Sequence, residues 1–371
     1  SYPGGAFYGG VLWGGGSWMG TMDMLVVENN TFQGIIGEAI VAYEHVDEGS
    51  RINHNTFANV NMRAIWFKNA NNLQITNNVF YNTGTWGQTR YDAGLNPEVD
   101  ENGAVMNDDG TQQTNGWSVV WPGGTGILET AKGLPYIAPF PEIIDGIYTM
   151  HQDGQVVDLN NRNIHWGNNV VVWSQGLTDW VNNHAGEDLD GDGYGDTPCY
   201  TWTTTQTDED GNQYEVTIED HQLVLEKQAV VHSDTTLDNI ARMVGVTSSD
   251  NILVDHNEFN MPIDPNYLAH QLERTDDFKD NQSLDGVGQT HEWVYQDDGN
   301  HAVVQWPLHL DISYNETSGA YTHSDLGLPV GNLHAFPEKY AEWIELTRPI
   351  EGVEYEYENV ADLFEDFEDV L

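Results

Sequence analysis

Along much of the chain, apolar residues occupy alternate positions in short runs that end at an asparagine, and the same run returns several times. Aligned on Asn30, Asn55, Asn78, Asn169, Asn257 and Asn315, the position three residues earlier holds Val27, Ile52, Ile75, Trp166, Val254 and Ile312. Five residues earlier stand Leu25, Ser50, Leu73, Ile164, Ile252 and Leu310, and two residues later Phe32, Phe57, Phe80, Val171, Phe259 and Thr317. Only Ser50 and Thr317 break the apolar rule. A period of two marks a strand with one face turned inward. The asparagine marks a bend, because Asn tolerates the left-handed backbone that a bend requires. The first copies lie 25 and 23 residues apart, the length of one turn of a coil whose strands pair in parallel with those of the turn before. The aligned asparagines are then expected to stack as a ladder of side-chain amides. Asn29, Asn281 and Asn315 also begin Asn-x-Ser/Thr triplets, the acceptor pattern for glycosylation. Two strand positions, a bend and a following apolar residue recurring together favour the rung reading.

The later gaps of 91, 88 and 58 residues exceed one turn, so they are expected to hold further rungs together with loops. Residues 85–163, rich in Gly, Asn and Asp, read as one elaborate loop insertion, and long loops on a rigid coil are the expected binding elements. Within 184–220, "YTWTTTQT" and "QYEVTIED" flank "DEDGN", which predicts a projecting β-hairpin. Short helices are expected at 264–278 and at 336–348, the second starting at Pro337 and placed to cap the C-terminal end of the coil. These elements define a coil domain over 1–345 and an acidic tail over 346–371. The chain begins on Gly-rich aromatic strands without an amphipathic capping helix, which suggests rungs further upstream or cover from another subunit.

The rungs resemble those of right-handed parallel β-helix repeat proteins of the pectate-lyase-like superfamily. "IHWGNNVVVWSQGLTDW" at 164–180 and "LDISYNETSGAYTHSDLGLPVGNLHAFPEKYAEW" at 310–343 are similar to segments of exported bacterial β-helix proteins without a settled activity. The resemblance implies an all-β, right-handed parallel β-helix (solenoid) and a secreted, extracellular or cell-surface protein. It is specific for fold and says little of function.

Charge changes the picture of partners. Twelve Lys and Arg stand against 59 Asp and Glu, a formal net charge of −47. Such self-repulsion calls for screening by salt or bound cations, so a halophilic or calcium-rich setting is expected. Nucleic acid and anionic membranes bind through Lys and Arg and are poor partners here. Neutral glycan, or a second copy end to end, remains. Cys199 is the only cysteine, so no disulfide framework exists. No run of 18 apolar residues is present, and no membrane span is expected.

"DLDGDGYGD" is the strongest local motif. Asp188, Asp190, Asp192 and Asp196 alternate with glycines, with Gly193 at the turn, and supply hard oxygens at the spacing of a calcium loop. Cys199 stands where an EF-hand has its bidentate Glu, so the motif resembles instead the Asp-rich calcium loops of thrombospondin type 3 and dockerin modules, with Asp208 or Asp210 as a closing ligand. Structural Ca²⁺ is the expected cofactor. For catalysis, the resemblance implies a cation and a basic residue in a lyase, or paired carboxylates in a hydrolase. Arg51, Arg63 and Lys68, with His54 nearby, are the weak catalytic candidates, set against ordinary ion pairs with Glu28, Glu38, Glu44 or Asp47. Trp86, Trp117, Trp121 and Trp173, with Trp166 and Trp180, are candidates for a carbohydrate-stacking flank, set against core packing.

These observations leave three functions open. The favoured one is a non-catalytic scaffold, a surface or matrix protein that interacts with carbohydrate and is stabilised by calcium. The others are a calcium-dependent polysaccharide lyase or glycoside hydrolase, and a self-assembling extracellular fibre subunit.

Overall fold

The structure is a computed structural model that describes residues 10–14, 24–35, 38–42, 50–60, 64–67, 72–83, 147–149, 156–158, 163–191, 194–207, 211–222, 224, 246–260, 268–269, 272–273, 276, 293–294, 302–303 and 311–347. Three parallel sheets run along a coil. The first stacks Val26–Glu28, Ser50–Asn53, Asn72–Thr76, Asn163–Gly167 and Val246–Ser249. The second stacks Thr31–Ile35, Thr56–Val60, Val79–Thr83, Val170–Trp173 and Ile252–Asp255. The third stacks Gly10–Gly14, Glu38–Ala42 and Ile65–Phe67.

Register turns the sequence pattern into a core. Val27, Ile52, Ile75 and Trp166 are cross-strand partners in the first sheet, and Phe32, Phe57, Phe80 and Val171 in the second. The three phenylalanines stack at centroid spacings of 5.0 and 5.1 Å, with ring planes within 8°. Where the fourth rung offers only Val171, Trp166 lies 5.3 Å from Phe80 and continues the aromatic column from the neighbouring row. A large residue in one row thus fills the volume that a small one in the other leaves, as close packing demands. Ser50, the outlier of its row, is fully buried and its Oγ accepts the Leu25 N–H at 2.8 Å.

The asparagine ladder exists, with two corrections. Asn30, Asn55, Asn78 and Asn169 each donate from Nδ2 to Oδ1 of the next, at 3.2, 3.1, 3.0 and 2.9 Å, and the acceptor for Asn169 is Asn251. Asn257 and Asn315 are not rungs. Asn257 sits on a 3₁₀ turn and donates to Asp255, and exposed Asn315 accepts the Thr317 N–H. "ILVD" at 252–255 follows the bend, in register with Val170–Trp173, where the alignment on Asn257 put it before the bend. The alignment went astray because the true fifth rung breaks the apolar rule, with Ser248 three residues before Asn251 and a half-exposed Leu253 after it. The second correction concerns the bend. The left-handed residue is the one before each ladder asparagine: Asn29, His54, Asn77, Asn168 and Asp250, with φ between 53° and 59°.

The first two long gaps hold no hidden rung between the described strands of these two sheets, and most of the third gap lies outside the described residues. Asn72–Thr76 pairs directly with Asn163–Gly167, and the latter directly with Val246–Ser249. Neighbouring strands about 4.8 Å apart leave no space for another, so the chain leaves the coil and returns to the adjacent turn. The second excursion carries helix α1, Gln175–Ala185, and the antiparallel hairpin Tyr200–Thr207 with Gln213–Asp220. The 264–278 segment is helical at each of its described residues, 268, 269, 272, 273 and 276. Helix α2 spans Pro337–Thr347. It does not cap the C-terminal end of the coil. Residues 311–336 run as a strap over the outer face of the second sheet toward the early rungs, and α2 ends this path with Trp343 against His54.

Candidate functional site

Ser174, just past the fourth rung, is tied to the coil through Asn82, whose Nδ2 donates to its Oγ at 2.9 Å and whose Oδ1 accepts its N–H at 2.8 Å. Helix α1 starts there and buries Leu177, Trp180, Val181 and Ala185, a spacing of three, one and four residues that forms one helical stripe. That stripe was the overlooked sign of a helix in the sequence. It brings Trp180 and His184 to a carboxylate 96 and 92 residues further on. Asp276 accepts from Trp180 Nε1 at 3.2 Å and from the Tyr200 hydroxyl at 2.8 Å, and pairs with His184 Nε2 at 2.9 Å. Burial alone pushes the Asp276 pKa up, and the donors His184, Tyr200 and Trp180 outweigh it, so that it lies below the ordinary 3.8. The other ring nitrogen of His184 faces the Trp180 carbonyl at 2.8 Å. Both nitrogens therefore meet acceptors, the arrangement that suits an imidazolium.

Beside this network lies an open cleft of about 410 Å³, with Asp179, Trp180 and Asn183 on α1 facing Leu272, Glu273 and Asp276. Its size falls in the range of roughly 300–1,000 Å³ typical of small-molecule sites. Carboxylates and an amide suit the hydroxyls of a polyol, and Leu272 with the Trp180 ring offers an apolar wall. Asp179 is held by Gln175, whose Nε2 donates to its Oδ1 at 2.7 Å.

The acidic loop after α1 is closely folded. Gly191 N–H donates to Asp188 Oδ1 at 2.7 Å, Leu189 N–H to Asp196 Oδ2 at 2.5 Å, and Asp196 N–H to the Glu187 carbonyl at 2.8 Å. A Cβ on Gly195 would sit 1.4 Å from the Ala185 carbonyl oxygen, so only glycine lets the loop close on the end of α1. Asp188, Asp190 and Asp196 thus share one compact turn. Among the described residues no three His, Cys, Asp or Glu side chains converge as a metal cage. Asp192, Gly193, Asp208 and Asp210 lie outside those residues.

Of the basic candidates, Arg51 pairs with Glu28 Oε1 at 2.6 Å on the coil surface. His54 is fully buried under the strap, with its pKa lowered to about 4 by desolvation against the opposing charge of Asp325. Arg63 and Lys68 lie outside the described residues, as do Trp86, Trp117 and Trp121. Trp173, Trp166 and Trp180 belong to the core, at 9%, 1% and 8% exposure. Neither of the two described candidates, Arg51 and His54, lines the cleft. It is built from Asp179, Glu273 and Asp276, which are inconspicuous among 59 acidic residues.

Residues 9–120 match a family model described as a right handed beta helix region. With the stacked parallel sheets, this decides the fold. The chain is a right-handed parallel β-helix. The match covers the early rungs, and the sheets of this β-helix extend to Asp255. No curated protein and no solved structure matches the chain significantly. Among the described residues, no helix of the β-helix protein is long and apolar enough to cross a membrane.

Proposed function

We propose that this protein is an exported, non-catalytic β-helix scaffold at a cell surface or in a matrix, which holds neutral glycan in the cleft between α1 and Leu272, Glu273 and Asp276. One observation carries the reading. The two described candidates for proton abstraction have structural work, Arg51 in an ion pair with Glu28 and His54 sealed beneath the strap. Structural calcium at the 188–196 loop is part of the proposal, supported by the alternation of Asp with Gly. A glycan array combined with a reducing-end release assay, with and without calcium at high salt, tests it. Binding without release is expected. Release of reducing ends would make the protein a hydrolase or lyase, a reading favoured by the carboxylates Asp179, Glu273 and Asp276 in one cleft. Chelation is expected to lower the melting temperature of the parent, and not that of an Asp190→Ala, Asp192→Ala variant.

A further inference from the structure

The five left-handed residues that precede the ladder asparagines form a row down one edge of the coil, and the strap lies along it. Four of the five bond to the strap through side chain or backbone. Asn29 Oδ1 accepts the Leu333 N–H at 3.2 Å, and Asn77 exchanges two hydrogen bonds with Asp325, at 2.9 and 3.1 Å. Asn168 Nδ2 donates to the His323 carbonyl at 3.1 Å, and the His323 ring donates to the Asp250 carbonyl. His54 is the exception. It is fully buried, neither ring nitrogen completes a hydrogen bond, and the ring sits beside the backbone of Pro329 and Gly331, edge-on to Trp343 at 6.0 Å. A neutral imidazole suits this setting better than a charged one, because the cost of burying the charge exceeds what the Asp325 carboxylate and the Gly331 and Pro329 backbone return.

We propose that His54 is an acid-sensitive latch for the strap, its protonation expelling residues 323–343 from the coil while the rungs stay folded. Strap release would withdraw Val330 from the outer face of the second sheet, where it packs in one cluster with Ala58, Val79, Tyr81, Val170 and Val172, and would leave Tyr314 and Ala320, which precede the released segment, in place. That apolar surface is what the latch governs.

The direction with pH follows from where the proton binds more tightly. Desolvation lowers the docked His54 from its ordinary 6.5 to about 4, so the released form takes up the proton first. Docking is at full strength above about 6.5, weakens as pH falls from 6.5 to about 4, and then levels off. At one decade per pH unit, the whole window amounts to roughly 300-fold in the opening equilibrium. Asp325 is the charged group that faces His54 from the strap, and it opposes the effect, as does hydrogen bonding of the charged ring to the backbone of Gly331 and Pro329, without cancelling the desolvation. His334 belongs to the same ring cluster, through Tyr340 and Trp343, without touching His54. His323 donates to a carbonyl and keeps that bond in either charge state.

The test is hydrogen exchange of the full chain at about pH 7 and about pH 4.5, corrected for intrinsic rates and read by mass spectrometry on peptides from 311–347 and from 50–83. The control is His54→Asn, a residue that Asn29, Asn77 and Asn168 show to suit the same backbone. In the parent, strap opening should rise on the order of 100-fold between the two values with the rung peptides still protected, and in the variant only a few-fold. An equal response of parent and variant would overturn the latch, as would joint loss of protection in strap and rungs. A second measurement follows the His54 ring by NMR. Titration well below 6.5 together with strap release is expected, and titration at the ordinary 6.5 with the strap still docked would overturn the proposal.

Discussion

Asn55 on the coil and Asn332 on the strap are both buried and both bonded through side chain and backbone, yet they are held in opposite ways. Asn55 donates to the Val27 carbonyl at 2.8 Å and to Asn78 Oδ1 at 3.1 Å, and Asn78 makes the same pair of bonds one rung on, to Ile52 and Asn169. Asn332 donates from Nδ2 to Thr31 Oγ1 at 2.8 Å and from its backbone to Thr56 Oγ1 at 2.9 Å, a set that no other strap residue repeats. A coil contact is shared with identical neighbours, so its loss propagates along the stack. A strap contact is singular, so its loss is confined to the strap.

The sharpest attempt to break this comparison is Asn78→Ala at the middle of the ladder. It removes the acceptor for two Asn55 donors and takes one bond each from the Ile52 and Thr76 carbonyls, the second of which keeps the His54 N–H at 3.3 Å. A cost of about 5 kcal/mol is expected in denaturant melts, since each orphaned buried group costs about 1–3 kcal/mol. Phe57→Ala, at the centre of the aromatic column, should cost about 3–5 kcal/mol, and a loss below about 1 kcal/mol would show that the column does not bear on stability. Gly331→Ala tests the strap. Gly331 has φ +80°, and an added Cβ would meet Thr56 Oγ1 at 2.7 Å and Val79 at 2.8 Å. A cost of about 2–3 kcal/mol is expected, visible as loss of exchange protection over 311–347 with the rungs intact.

Asp276→Asn should have a smaller effect, and one that depends on pH. The folded carboxyl lies below its ordinary 3.8, so the stability it contributes is present above that value and is lost as pH falls through the lower folded one. The melting-temperature gap between parent and variant should therefore be widest near neutral pH and close in acid. Asn257→Ala should change stability by less than about 0.5 kcal/mol, because Asn257 is exposed and off the ladder, whereas Asn251→Ala should behave as a ladder mutation. Equal effects at the two positions would return the fifth rung to Asn257.

Much of the fold is legible from the chain where a local rule repeats. Alternating apolar positions before Asn30, Asn55, Asn78 and Asn169 suffice to place four rungs, because strand geometry imposes a period of two on any residue that faces inward. The same logic misled at Asn257, where a good local match sits six residues past the true rung at Asn251. The candidate site was far less legible. Arg51 attracted notice because basic residues are scarce in the chain and it stands close to Arg63 and Lys68, with His54 nearby, but scarcity says nothing of burial or pairing. Asp276 was invisible, since only the approach of α1 and Tyr200 distinguishes it from other acids.

What the amino-acid sequence by itself determined is therefore the rung: its strands, its asparagine, its inward phenylalanine, the hairpin around Asp-Gly and the helix that begins at Pro337. Each depends on backbone preferences and side-chain periodicity within about one turn of the coil. The tertiary structure alone decided which rungs are neighbours across 91 and 82 residues of intervening chain, that Asn332 meets Thr31 at a separation of 301 residues, and that His54 is sealed under Trp343. Those contacts occur once each. A contact made once leaves no period for a sequence to display, and its energy exists only when both surfaces are already in place.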